Sequence, residues 1–148
     1  VVSIRIAIDR MGVEVTAIPA GGINIRLGIY NDIGCQPGTL LLDAGSISAT
    51  GTGPQKVTVN QFLNPGLYWL GMNVSASTRP SFRGIPVASM LPVLGITSGF
   101  GSSMYCYISG SSTFGVGYTL PNNPFSAIGQ TNVIANAVTP AIFVRFSG

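Results

Sequence analysis

Between residues 23 and 77, apolar and polar side chains alternate with a period of two, and Gly, Pro, Asn and Asp break the alternation at short intervals. The segments read INIRLGIY, NDIGCQPG, TLLLDAGSI and, after a turn, KVTVNQFLNPGLYWLGMNVSAS. Side chains switch faces at each step of a strand, so this period predicts half-buried β-strands rather than helices. Ile23, Ile25, Leu27 and Ile29 give the clearest case, with Asn24, Arg26 and Tyr30 on the other face. Upstream, Val2, Ile4, Ile6 and Ile8 share one parity. Val13, Val15 and Ala17 repeat the pattern, with Glu14 and Thr16 turned away. Pro19-Ala20-Gly21-Gly22 then predicts a hairpin connection.

Residues 31–38 predict a loop: Asn31 and Asp32 favour Asx-turns, Pro37 fixes φ, and Gly34 and Gly38 tolerate positive φ. Residues 40–42 and 45–49 predict two short strands, residues 51–54 a turn, and Val57 and Val59 mark the next strand. Asn64-Pro65-Gly66 fits a turn with Pro second and Gly third. Residues 67–74 are apolar and aromatic on both faces and predict an inner strand packed on two sides. Residues 85–96 are apolar, but Pro86 and Pro92 leave only an edge strand or a meandering loop. Residues 103–108, 114–119 and 141–146 are the remaining strand candidates, and residues 118–136 predict a long loop centred on Pro121-Asn122-Asn123-Pro124. No segment sustains a helical period over three turns. About nine or ten short strands with frequent turns predict an all-β fold, an antiparallel β-sandwich of jelly-roll type.

The 148 residues fit a single domain, residues 1–148. A chain of that length buries roughly two-thirds of its unfolded surface. It starts Val1-Val2 without a signal-peptide pattern and ends in a strand candidate, so it reads as the C-terminal part of a longer protein. Only 7% of its residues are charged, against about 25% in ordinary soluble domains, and the mean hydropathy is +0.48. No apolar run approaches the ~18 residues of a membrane helix, so no membrane insertion is expected. A chain so poor in charge is expected to cover apolar surface with other chains, as an oligomer or a subunit of an assembly. A neutral surface of Ser, Thr, Asn and Gly is the alternative. Arg5, Arg10, Arg26, Lys56, Arg79, Arg83 and Arg145 are scattered along the chain and form no concentrated stripe, so no nucleic-acid partner is expected. Cys35 and Cys106 lack a CxxC partner and read as two free thiols, in keeping with assembly in a reducing cytoplasm, although pairing cannot be read from sequence.

The absence of histidine removes Ser-His-Asp and Cys-His nucleophile systems and His metal sites. Lys56 does not follow a GxxxxG run, and the GxG triplets at Gly51, Gly99 and Gly115 precede no helix, so they read as turns. The four acids are Asp9, Glu14, Asp32 and Asp43. Glycoside hydrolysis needs two carboxylates about 5–9.5 Å apart, and Asp32 with Asp43 is the pair that a loop-strand unit could bring together. The preferred reading is structural, with Asp32 shaping a turn and Asp43 ending a strand. Asn31 and Asp32 fall short of a Ca²⁺ site, which needs more oxygen ligands. No catalytic residue, metal or cofactor is expected. Asn73-Val74-Ser75 matches a glycosylation sequon but lies within a strand candidate. Trp69, flanked by apolar residues, reads as core packing. Tyr105 and Tyr107 share a strand face, and Asn122 and Asn123 sit at a loop tip beside Phe125. These five are the candidate partner or receptor contacts, because binding sites present rings and amides and loops carry function.

One succession of motifs carries a family likeness. It runs Arg26-Leu27-Gly28-Ile29-Tyr30, Asn31-Asp32, Gly34, Pro37-Gly38 and Leu41-Leu42-Asp43-Ala44-Gly45, and later Leu63-Asn64-Pro65-Gly66-Leu67-Tyr68-Trp69-Leu70 with Asn73 and Ser75-Ala76. In that order the motifs resemble the β-sandwich module of bacteriophage virion proteins, particularly tail fibres and related appendages. The likeness covers roughly the first half of the chain, and nothing from residue 85 onward matches it. It implies a non-enzymatic virion structural protein that mediates host-surface attachment, multimeric and most simply homotrimeric. Its implied partners are other virion proteins and a host-surface glycan or protein, and its place is the virion after assembly in the host cytoplasm. The matched positions are scaffold, so no catalytic residue transfers. A capsid-decorating or fibre-assembly subunit is the alternative.

Overall fold

The alternating segments become five long strands in the computed structural model, which describes residues 1–34, 37–75, 80–85, 106–107, 133–134 and 139–147. They are β1 (Ile6–Ala17), β2 (Ile23–Asp32), β3 (Pro37–Ala49), β4 (Gly53–Leu63) and β5 (Tyr68–Ser75). Shorter strands follow: β6 (Ser81–Phe82), β7 (Gly84–Ile85), β8 (Cys106–Tyr107), β9 (Val133–Ile134), β10 (Thr139–Pro140) and β11 (Phe143–Phe146). No helix occurs among the described residues.

One antiparallel sheet has the order β11-β1-β4, with β6 also paired to β1, and a second has the order β3-β2-β5. β7 pairs with β10, and β8 with β9. The two larger sheets pack through Ile8, Met11, Val13 and Val15 of β1 and Ile23, Ile25, Leu27 and Ile29 of β2, joined by Ile47, Ala49, Val59 and Leu63. This is the antiparallel β-sandwich that the period of two predicts. The described pairings do not define a jelly roll. Burial of each large aliphatic side chain contributes about 1.5–3 kcal/mol, so the inner face of β2 is a principal anchor. β2, with a neighbour on each side, holds the central place that residues 67–74 were expected to take. Among the described strands β5 pairs only with β2, and its Leu70 is exposed.

The turn at residues 19–22 forms, with the Gly22 N–H donating to the Pro19 carbonyl at 3.2 Å. It is an arch between sheets rather than a hairpin, because β1 and β2 belong to different sheets. Turn residues specify a reversal of the chain, while the burial of Val15 and Ile23 in one core decides where the chain goes next. Gly22 has φ +77°, and a Cβ there would lie 2.8 Å from the Ala49 carbonyl oxygen.

Bulges account for most of the other differences. The two runs expected at residues 2–8 and 13–17 are one strand from Ile6, whose register against both β4 and β11 slips between Ile8 and Arg10. Buried parity changes there from Ile8 to Met11, Val13 and Val15, as an inserted residue requires. Val2 instead bridges Gly66, and Ile4 is 68% exposed. Likewise, residues 40–42 and 45–49 belong to one strand, β3, bulged at Gly45 with φ +87°. Asp43 therefore lies inside a strand rather than at its end. Of the expected 31–38 loop, residues 31–32 and 37–38 belong to strands, since β2 runs through Asp32 and β3 begins at Pro37. The expectations for residues 86–96, 103–105 and 114–119, and most of 118–136, lie outside the described residues.

Candidate functional site

Beyond its bulge, β1 turns Arg10, Gly12 and Glu14 away from the core. Gly12 is paired with Lys56 on β4 and with Phe143 on β11, while Arg10 is paired with Arg145. Together these residues surround a groove of about 360 Å³ on the outer face of the sheet. Gly12 forms its floor. A Cβ at Gly12 would sit 2.7 Å from the Gln55 carbonyl oxygen and 3.3 Å from Lys56 Cγ, so the close approach of the strands requires glycine. Phe143 stands beside it with 51% of its surface exposed.

Ion pairs set the charge of this face. Arg145 donates from Nε to Asp9 Oδ1 at 2.7 Å, and its Nη2 donates to Asp9 Oδ2. Arg83 donates to both Glu14 oxygens, at 3.2 and 2.9 Å. Hydrogen bonds from these arginines hold the Asp9 and Glu14 carboxyls below the usual carboxylate range. Arg10 and Lys56 have no carboxylate partner among the described residues. Toward the other end of β1, the Arg5 guanidinium lies 4.5 Å from the centre of the Phe62 ring, a cation–π contact.

The outer face of the other sheet is closed. Arg26 makes a bidentate pair with Asp43, with contacts of 2.9, 2.9 and 2.6 Å, and Asp43 also accepts the Gly45 N–H at 3.0 Å. The Tyr30 ring lies over Gly71, where a Cβ would fall 2.6 Å from its Cε2. Tyr30 is 4% exposed. Burial first, and the Asp43 charge second, push its hydroxyl up to about 12. Trp69, directly opposite Tyr30, donates its indole N–H to Asp32 at 2.7 Å. Trp69 is thus half-buried outside the inter-sheet core, contrary to the expected core packing. Asp32 and Asp43 hold different partners: an indole for one, a guanidinium and a bulge amide for the other. In the sequon, Asn73 Nδ2 is buried and its Oδ1 accepts the Val74 N–H at 2.8 Å, so the amide nitrogen is not presented to solvent.

Of the expected contacts, Tyr105, Asn122, Asn123 and Phe125 lie outside the described residues. Tyr107 lies in β8 opposite Val133, and its side chain is also outside the description. The same holds for Cys35 and for the Cys106 side chain. No group of three or more His, Cys, Asp or Glu that could hold a metal ion occurs among the described residues. The groove itself was missed in the sequence. Its signal is Gly12, which lies between the two expected runs and marks a close backbone approach once β1 is seen to run through it. No family model matches this chain, and no curated protein or solved structure matches it.

Proposed function

We propose that this chain is a non-enzymatic bacteriophage virion protein, a tail-fibre-like appendage domain that attaches to the host surface. The observation that carries this reading is a groove walled by cations and an exposed aromatic ring on a rigid strand scaffold. The carboxylates support it too: Asp9, Glu14 and Asp43 are held by arginines and Asp32 by Trp69. Acids so engaged favour a role in the cohesion of the sandwich over acid–base chemistry. The tail-fibre resemblance of residues 26–76 supplies the virion context, with a homotrimer and other virion proteins as neighbours.

A second reading, a capsid-decorating or fibre-assembly subunit, is favoured by the exposed Ile4, Phe62 and Phe146, the two rings at 54% and 59%. Such side chains suit burial against other virion chains. Electron microscopy of intact virions labelled with antibody to this domain separates the two. Label at the tail or fibre tip supports attachment, and label over the capsid favours decoration. Particles without any label would overturn the virion reading.

A further inference from the structure

We propose that the groove over Gly12 is a subsite for an anionic saccharide, a sugar ring bearing a carboxylate or phosphate. The inference rests on the attachment reading and names the chemistry of its ligand. It begins with the distribution of charge. The chain has seven basic and four acidic residues. Three of the acids are held in arginine pairs, those of Arg26, Arg83 and Arg145. Arg10 and Lys56 are left without a carboxylate among the described residues, and both line this groove. Two cations beside one trough repel each other, and a bound anion relieves that repulsion with charge-assisted hydrogen bonds. Arg145, held by Asp9 through Nε and Nη2, has no hydrogen-bond partner for Nη1 among the described residues and can turn it to the same ligand. Glu14 also lines the groove, but its charge is matched by Arg83.

The remaining features select a sugar among anions. Phe143 offers an exposed ring beside the glycine floor, an apolar wall for the C–H face of a pyranose. At about 360 Å³ the groove lies at the small end of ligand sites, which span roughly 300–1,000 Å³. That suits one or two sugar rings. A nucleic-acid backbone requires a longer row of cations. An extended peptide is recognised through free strand edges, whereas β1 is already paired with β4 on one side and with β11 and β6 on the other.

The test measures binding of the full chain to four soluble polymers by calorimetry: polygalacturonate, a phosphorylated mannan, neutral dextran and poly-glutamate. Binding to polygalacturonate, to phosphomannan or to both, without binding to dextran or poly-glutamate, is expected, and the two arms tell carboxylate from phosphate. The R10Q/K56Q double variant should weaken that binding about tenfold or more, and F143A should weaken it independently. Neither Arg10 nor Lys56 leaves an ion-pair partner stranded, so the double variant should keep the parent's urea midpoint. Absence of saccharide binding, equal binding of dextran or poly-glutamate, or undiminished binding by the folded double variant would overturn the proposal. Antibody label at a fibre tip without saccharide binding would sink the groove assignment alone. Unlabelled virions would sink the attachment reading even if the groove took sugar.

Discussion

Gly71→Ala tests how the outer face of the β3-β2-β5 sheet is closed. The new Cβ would lie 2.6 Å from Tyr30 Cε2 and 3.4 Å from its Cδ2, whereas carbon atoms pack best at about 3.5–4.0 Å. The ring must therefore retreat by about 1 Å. It has little room to do so, being 4% exposed and directly opposite Trp69. Overpacking of this kind costs about 1–3 kcal/mol, a large share of the roughly 5–15 kcal/mol that holds a domain together. Trp69 is the only tryptophan, and its fluorescence during urea unfolding reports on this site. A second readout is the ultraviolet titration of tyrosine. In the parent, burial holds the Tyr30 hydroxyl protonated to about pH 12. This raised value contributes stability that is fully present below pH 10 and is lost, at about 1.4 kcal/mol per pH unit, as pH climbs through that window. A displaced, wetter ring should ionise closer to 10, and Gly71→Ala should lose much of that alkaline-sensitive stability. In a Tyr30→Ala background the same glycine substitution should cost far less, because the clash is gone. An unchanged urea midpoint together with an unchanged tyrosine titration would refute the placement of the ring over Gly71.

Two further outcomes follow from the core and from the Arg26–Asp43 pair. Leu27→Ala, at a fully buried position in the middle of β2, should lower stability by about 2–5 kcal/mol with an unchanged denaturant slope; a loss below 1 kcal/mol would mean that Leu27 does not face the inter-sheet core. Asp43 is held below the ordinary carboxylate value chiefly by Arg26. Its contribution is therefore present above about pH 4 and lost as pH falls through the depressed value. Asp43→Asn should cost about 1 kcal/mol at neutral pH and flatten the acid side of the stability profile. An acid limb as steep as the parent's would remove the pair from that role.

The period of two was enough to find the strands of the first half and the sandwich they build, because one face of each strand must enter the core. Parity by itself could not locate the bulges. At Ile8 and Arg10 the apolar run simply changes phase, and in sequence this looks like two separate strands. Gly45 hid the continuity of β3 in the same way, since a glycine between two apolar runs reads as a break until its positive φ is seen to carry a bulge. The Gly21-Gly22 turn announced a reversal, but its choice between hairpin and arch depended on which sheet would bury Ile23. Charge was the least legible layer. Arg145 and Asp9 are 136 residues apart, and Arg83 and Glu14 are 69 apart. Nothing local marks them as partners, and so nothing local marked Arg10 and Lys56 as cations outside those pairs.

Gly12 and Gly71 show how one local feature leads to opposite surfaces. Both glycines stand within strands, where a neighbouring group takes up the space a side chain would need. At Gly71 a neighbouring tyrosine ring fills that space, a device by which aromatic residues rescue strand glycines, and the buried ring makes that face part of the structure. At Gly12 the nearest groups are the Gln55 carbonyl and the stem of Lys56. Phe143 is directly opposite, yet half of it remains in solvent. The Phe143 ring thus stays in solvent instead of packing over its glycine as Tyr30 does over Gly71. What this face retains is a groove lined by Gly12 and the exposed Phe143 together with Arg10 and Lys56, neither of them in a salt bridge among the described residues. The β3-β2-β5 sheet thus closes its outer face with the Tyr30 ring over Gly71, whereas the β11-β1-β4 sheet carries the groove whose surface chemistry is available to a ligand.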